Sequence, residues 1–185
     1  MRSDAAKRRR LIVQEARRLF AAHGSDVALE AIADAAGVGI ATLYRNFESR
    51  AALADEVALA ILGDMRAAGA DALKSVGSSP ESAWTAYVQR LIELDLGALS
   101  ATLAEFVTDQ ISGTVRQAQA ETLAGVEALL DAVRPAGLVR SDLDALELVL
   151  AIGLITRPLP DAICAATPNL VPRLVSILLA GMRPA

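Results

Sequence analysis

The chain has 185 residues, of which 54% are hydrophobic but only 3% aromatic, and its formal net charge at neutral pH is −4. No uncharged apolar stretch approaches the ~20 residues that span a bilayer, and the single cysteine, Cys164, can form neither an internal disulfide nor a cysteine metal cluster. We therefore expect a cytoplasmic protein without membrane association, metal or cofactor, and a core rich in good helix formers predicts an all-α fold.

The charges are distributed unevenly along the chain. Residues 1–50 hold nine lysines and arginines against six acidic residues, whereas residues 51–185 hold nine against sixteen. A basic face on an acidic body can bind phosphate groups while the body keeps the molecule soluble. The N-terminal segment is therefore the candidate for a polyanionic partner.

The first predicted helix covers residues 4–23. Its apolar stripe contains Leu11 or Ile12, followed by Ala16, Leu19 and Phe20. Gly24 is a typical stop signal directly after such a helix. This spacing predicts an amphipathic helix that buries one face.

Two short helices are predicted over residues 29–47, joined by a turn at Gly37. Ser25 or Asp26 could supply a capping oxygen near the start of the first, and Gly37 is expected in the left-handed conformation. The second helix runs over residues 40–47, with Leu43 and Phe47 on its apolar side. The pattern predicts a helix-turn-helix, a motif that reads DNA with its second helix.

The remaining chain is predicted to be helical. Ser49 is expected to cap a helix over residues 50–74, and helices follow at 80–96, 101–110 with Ser100 as a cap, and 114–133. Ser141 or Asp142 is expected to open a helix that ends near residue 156. A proline-containing loop over 157–168 then leads to a last helix at 169–182.

Two of these helices are unusually apolar, and their stripes could form either intrachain core or a subunit interface. The first stripe contains Leu146, Val149, Leu150, Gly153 and Leu154, and the second contains Leu170, Leu174, Ile177, Leu178 and Gly181.

Residues 8–53 resemble the N-terminal DNA-binding domain of the TetR family of bacterial transcriptional regulators. The resemblance rests on an ordered set of positions: Ala16, Leu19-Phe20, Gly24, Ile32-Ala33, Ala36-Gly37-Val38, Thr42-Leu43-Tyr44, Phe47, Ser49-Arg50 and Ala52-Leu53. The form GVGIATLYRNF is also similar to one that is common among actinobacterial members.

The resemblance implies a fold of about nine helices, with a three-helix DNA-binding domain at 1–50 and a helical ligand-binding and dimerisation domain at 51–185. The implied partners are a double-stranded DNA operator, a small-molecule effector and a second copy bound through the last two long helices. By position, Thr42, Tyr44 and Arg50 correspond to phosphate contacts. The residues at or beside the base edges are Ile40, Ala41, Arg45 and Asn46.

Three further expectations come with this resemblance. The basic run at residues 7–10, with Arg8, could contact phosphates or a neighbouring minor groove. Gly39 stands where a capping hydroxyl is frequent in the family, and Ala28-Leu29 stand where threonine is frequent. Specificity is therefore expected to depend mostly on Arg45, Asn46 and the N-terminal arginines.

An effector pocket is expected among the fourth to eighth helices. The candidate ligand contacts are Trp84, Tyr87, Phe106 and Asp109, within a wider set that includes Met65, Thr102, Thr108, Gln110 and Thr122.

The resulting hypothesis is a ligand-responsive repressor that binds a pseudo-palindromic operator as a dimer. An enzyme is disfavoured because the sequence has no Cys-His arrangement, glycine-rich phosphate loop or metal-ligand spacing. The alternative is a helical ligand-binding or adaptor protein without specific DNA binding.

Overall fold

A computed structural model of the protein describes residues 2–24, 27–94, 96 and 112–184. This part of the chain contains no strand, and an all-α fold is confirmed. Its nine α-helices are α1 (Arg2–His23), α2 (Leu29–Ala35), α3 (Ile40–Asn46), α4 (Arg50–Val76), α5 (Pro80–Glu93), α6 (Gly113–Val133), α7 (Ala145–Ile155), α8 (Asp161–Ala166) and α9 (Leu170–Gly181), with a 3-10 turn, Arg134–Ala136, after α6.

Helix α1 settles the choice that the sequence left open between two apolar residues. Ile12 is fully buried together with Ala16 and Phe20, whereas Leu11 is exposed. Gly24 follows the helix with a φ of +83°, a conformation that glycine adopts without a side-chain clash. Helix α1 therefore buries one stripe, as predicted.

Two predicted helix starts have different outcomes. Ser49 caps α4 as expected, because its hydroxyl oxygen accepts a hydrogen bond from the backbone N–H of Ala52 at 3.1 Å. The prediction that Ser141 or Asp142 opens α7 is wrong. The N-cap is Asp144, whose carboxylate accepts from the N–H of Glu147, while the Glu147 carboxylate accepts from the N–H of Asp144. This reciprocal capping box satisfies two backbone donors at the start of α7.

The prediction of an irregular loop over residues 157–168 is also wrong, because the segment contains the short helix α8. Pro160 stands immediately before its first turn. There the missing N–H of proline costs no helical hydrogen bond, so the proline is compatible with a helix start. The predicted caps Ser25, Asp26 and Ser100 and the predicted helix 101–110 lie outside the described residues.

Helix α4 is the central element of the molecule. At 27 residues it is the longest described helix, and it packs against α1, α5 and α6. The buried hydrophobic side chains form one continuous cluster that extends from Ile12 on α1 to Met182 after α9. The three N-terminal helices and the helical body thus share a core through α4, and a division at residue 50 stays a prediction.

The apolar stripe of α7 is divided between two environments. Val149 and Gly153 are buried against the body, whereas Leu146, Leu150 and Leu154 are 44%, 40% and 68% exposed. Helix α9 has no buried residue, and its Ile177 is 61% exposed. Much of the apolar surface of the last two long helices is therefore uncovered in the single chain. No helix in the described ranges is long and apolar enough to cross a membrane.

Candidate functional site

The turn between α2 and α3 is fixed by backbone hydrogen bonds around Gly37. The N–H of Gly37 donates to the carbonyl of Asp34 at 3.0 Å, and the N–H of Val38 donates to that of Ala33 at 2.9 Å. Gly37 has a φ of +65°, which confirms the predicted left-handed conformation. Such a hydrogen-bonded glycine turn fixes the angle at which the two helices meet.

Helix α3 is held by one face and exposes the other. Leu43 and Phe47 are buried, and Ala33 of α2 is buried in the same cluster. Tyr44 is 51% exposed, and Ala41 and Arg45 are also exposed. The outward face of this helix therefore carries side chains that the sequence predicts to contact DNA.

Three other predicted residues of α3, Ile40, Thr42 and Asn46, are half-buried. The guanidinium of Arg45 donates to the hydroxyl of Thr42 at 3.0 Å, and the Asn46 amide donates to the backbone carbonyl of Thr42 at 2.8 Å. Without DNA, these polar groups bond within their own helix. As expected, Gly39 provides no side-chain cap at the start of α3.

The two predicted contacts outside α3 are exposed. Arg50 is the first residue of α4. Arg8 lies on α1, where its Nε donates to the backbone carbonyl of Asp4 at 3.2 Å. The basic run at residues 7–10 is part of α1, in agreement with the helix predicted over residues 4–23.

Arg9 of this basic run has three partners within the protein. Its Nη1 donates to the backbone carbonyl of Asn46 at 2.6 Å, and its Nη2 lies 2.8 Å from Oε1 of Glu56 on α4. The guanidinium carbon lies 4.3 Å from the centre of the Phe47 ring. Sequence reasoning missed this role because nothing in the run of basic residues distinguishes Arg9 from its neighbours.

Arg17 makes a similar bridge two turns further along α1. Its Nη1 lies 2.7 Å from Oδ2 of Asp64 on α4, and its Nη2 donates to the carbonyl of Leu94, at the end of α5, at 2.7 Å. Arg9 and Arg17 therefore both join α1 to α4 and to the C-terminal end of a third helix.

Two small cavities adjoin Tyr87 in the body. One, of about 350 Å³, lies between α4 and α5, and the other, of about 210 Å³, lies between α4, α5 and α6. The second is lined mostly by apolar atoms, and its lining includes Met65, Gly69, Thr122 and Gly125. The structure thus brings three residues of the predicted pocket set, Tyr87, Met65 and Thr122, to one cavity.

The Tyr87 hydroxyl is buried without a hydrogen-bond partner among the described residues. Burial raises its pKa well above the ordinary tyrosine value because the anion would lose its hydration. The hydroxyl of Thr122, by contrast, donates to the carbonyl of Ala118 at 2.7 Å. Tyr87 is therefore a neutral group whose hydroxyl makes no hydrogen bond to any part of the chain that the structure describes.

Of the other three candidate ligand contacts, only Trp84 is among the residues that the structure describes. Trp84 is buried in the core beside Tyr87, with ring centres 6.1 Å apart, and it lines neither cavity. Phe106 and Asp109 lie outside the described residues. Gly69 and Gly125, which the sequence did not single out, line the cavity where larger side chains would occupy its space.

A short helix that is held by its apolar side, and that offers polar side chains to solvent beyond a tight turn, is the arrangement with which helix-turn-helix proteins enter the major groove. Residues 12–57 match the model of the tetR family of bacterial regulatory proteins, and residues 79–184 match the C-terminal domain of SbtR-like transcriptional regulators. The chain therefore belongs to the TetR family and is a DNA-binding transcription regulator.

Solved structures agree with this assignment. A TetR transcriptional regulator from Streptomyces coelicolor is 30% identical over 96% of this chain and 99% of its own, with a TM-score of 0.64. One from Mycobacterium vanbaalenii is 27% identical over 99% of both chains, also with a TM-score of 0.64. LfrR from Mycobacterium smegmatis, solved in complex with proflavine, is 21% identical over 98% of this chain and 99% of its own, with a TM-score of 0.69. No curated protein matches the sequence.

Proposed function

We propose that this protein is a cytoplasmic repressor that binds a pseudo-palindromic operator as a homodimer and releases it when a small molecule occupies the body. The observation that carries the proposal is the two-sided character of α3. Leu43 and Phe47 fix the helix to the core, and Tyr44 and Arg45 are exposed at its outer face. A recognition helix needs this combination of a fixed inner side and a free polar side.

The proposed division of labour follows the chemistry of each side chain. Thr42, Tyr44 and Arg50 donate to phosphate oxygens and set the register, with Arg8 as a further phosphate contact. Arg45 and Asn46 leave their partners within α3 and reach base edges, where a guanidinium can bind guanine with two hydrogen bonds. Ile40 and Ala41 offer apolar contacts to thymine methyl groups.

Dimerisation is proposed through α7 and α9, the last two long helices. Leu146, Leu150, Leu154 and Ile177 are exposed although they are large and apolar. A two-fold axis would bury these residues against their counterparts in a second copy. It would also present the two copies of α3 to successive major-groove segments of the operator.

The effector site is proposed at the cavities beside Tyr87. A solved relative by fold, LfrR, was obtained with bound proflavine, which supports ligand binding by this architecture. A cavity of about 150 Å³ can hold benzene, so the 210 Å³ space between α4, α5 and α6 suits a molecule of single-ring size. Most of the lining is apolar, and its two charged residues, Arg66 and Glu121, already pair with each other at 2.6 Å, so a charged ligand would find no free partner there. A ligand oxygen that reached the Tyr87 hydroxyl would give that group the partner it lacks among the described residues. We therefore propose a small uncharged ligand with one hydrogen-bonding group.

The DNA-binding proposal is tested by selecting operator fragments with the purified protein and measuring affinity for the selected and for random DNA. With ~4 phosphates neutralised per subunit, log affinity should fall with log salt at a slope near −7 for the dimer. Replacing Arg45 with Ala should weaken operator binding by ~1–3 kcal/mol and relax the base preference. Equal losses on both DNAs would make Arg45 a phosphate contact, and failure to prefer any sequence would favour an adaptor protein.

The effector proposal is tested with fragment-sized probes in a thermal unfolding assay. Benzaldehyde and benzyl alcohol should raise the Tm of the wild type, because a ligand that binds only the native state stabilises it. Benzoate should not, since Arg66, the cation at the cavity, is already paired with Glu121 and the buried charge would lack a partner. Tyr87→Phe should abolish the shift by the neutral probes. Equal shifts in the variant, or equal shifts with benzoate, would contradict the proposed site or the proposed ligand class.

A further inference from the structure

Arg9 occupies the point where α1, the end of α3 and α4 meet. Its three interactions are with the Asn46 carbonyl, the Phe47 ring and the Glu56 carboxylate. Asn46 is the last residue of α3, and Phe47 is its C-cap. One guanidinium thus touches the end of the recognition helix and the central helix of the body at the same time.

The chemistry of these contacts is specific to the end of a helix. The last carbonyls of a helix have no intrahelical partner, and the helix dipole places negative potential there. A guanidinium that donates to such a carbonyl satisfies it and also meets a favourable potential. Its position over the Phe47 ring adds a cation–π contact, and the ion pair of its Nη2 with Glu56 helps to fix the orientation of the planar group.

The recognition helix depends on such support because it is short. Helix α3 has seven residues and no side-chain cap at its N-terminus. Arg45 and Asn46, the residues assigned to base edges, lie in its last turn beside the carbonyl that Arg9 binds. Even a small displacement of this end would spoil directional hydrogen bonds to bases, whereas phosphate contacts by flexible side chains would tolerate it.

We propose that Arg9 is a positioning residue of the recognition helix, oriented by Glu56, and that it determines operator specificity without contacting DNA. This inference rests on the proposed sequence-specific DNA binding. It differs from the expectation that the basic run at residues 7–10 acts on phosphates. Arg9 contributes to discrimination between base pairs indirectly, because it holds the C-terminal end of α3 in a fixed position relative to α4.

The two roles predict different effects of Arg9→Gln. If Arg9 positions α3, affinity for the operator falls by about tenfold, the value expected for losing a hydrogen bond to a charged group, while affinity for random DNA and the salt slope stay unchanged. If Arg9 binds phosphate, both affinities fall together and the slope for each subunit drops by ~1. Arg18→Gln is the charge-matched control, because Arg18 lies on the same helix outside the basic run and is an exposed partner of Glu15. It should leave the ratio of operator to random affinity unchanged.

Glu56→Gln provides the decisive second variant because it has the opposite effect on charge. The positioning role predicts a lower operator-to-random ratio, in the same direction as Arg9→Gln, although the protein becomes more positive. General electrostatic attraction predicts tighter binding to both DNAs instead. The double variant should lose little more than Arg9→Gln alone, since both changes remove the same coupled contact.

The outcomes separate this inference from the function on which it rests. If the wild type does not discriminate operator from random DNA, the proposed function fails. If the wild type discriminates but both single variants keep its ratio, only the role of Arg9 is overturned. A thermal melt of each variant shows whether it is still folded at the assay temperature, and so whether the measured loss comes from unfolding. Hydrogen exchange of the α3 backbone amides reports on the positioning role directly, and we expect it to accelerate in both variants.

Discussion

At the residue scale, the environment of Tyr87 predicts that removing its hydroxyl stabilises the folded protein. Its hydroxyl is buried without a partner among the described residues, and removing an unsatisfied buried group relieves its desolvation cost. Tyr87→Phe should therefore raise the free energy of unfolding of the free protein by about 1 kcal/mol, measured by urea denaturation. The same variant is expected to lose ligand binding.

Thr122→Val is the matched control for this variant. Its hydroxyl is also buried, but it donates to the Ala118 carbonyl. Removing this satisfied group should lower the free energy of unfolding by about 0.5–1 kcal/mol, the ordinary net value of a hydrogen bond. If both variants lower the free energy of unfolding by similar amounts, the Tyr87 hydroxyl has a partner in the free protein. The argument that this hydroxyl is available to a ligand then fails.

Also at the residue scale, the sequence predicted individual side chains well where a local pattern defined them. Ser49 could be assigned as a cap from its place before a helix, and Gly37 as left-handed from its place after one. The bridges made by Arg9 and Arg17 depend on helices that are distant in sequence, so no local pattern could reveal them. Tyr87 could be named as a large polar aromatic group of the body, but only the three-dimensional structure shows that its hydroxyl has no partner among the described residues.

At the scale of the element, the start of α7 offers a test of helix capping. The capping box of Asp144 and Glu147 predicts that Asp144→Ala lowers the free energy of unfolding by about 1 kcal/mol. Ser141→Ala, which changes the residue that the sequence suggested as the cap, should leave stability within about 0.5 kcal/mol of the wild type. A larger loss for Ser141→Ala than for Asp144→Ala would contradict the observed helix start.

The errors in predicting elements share one physical cause. Ser141, Asp142 and Asp144 are all acceptable caps by composition, and only the reciprocal bond from Glu147 selects among them. The prolines at 158, 160 and 168 indicated a loop, yet a proline just before a helix does not prevent it. Helix existence follows from periodicity along the chain, whereas helix ends are decided by a few hydrogen bonds that compete closely in free energy.

At the scale of the whole molecule, the exposed leucines of α7 predict the oligomeric state. Leu154→Glu would place a charge within the proposed interface, where its burial in the dimer is unfavourable. We expect the wild type to be a dimer and the variant a monomer in sedimentation or light-scattering measurements. Leu11→Glu is the control, because Leu11 is a partly exposed leucine on α1, away from the proposed interface helices. This variant should remain a dimer. A dimeric Leu154→Glu variant would place the interface elsewhere.

The continuous core through α4 also bears on how hybrid regulators could be built from this protein. A fusion joined at residue 50 would replace Leu53, Val57 and Ile61, which are buried in the same cluster as Ile12 and Phe20 of the retained segment. The matched family model of the N-terminal domain likewise extends past this point, to residue 57. A transplanted DNA-binding segment should therefore carry the first three turns of α4 with it, including Glu56. With a junction further along α4, the exposed face of α3, the core beneath it and the Glu56 carboxylate that orients Arg9 would be transferred together to the new body.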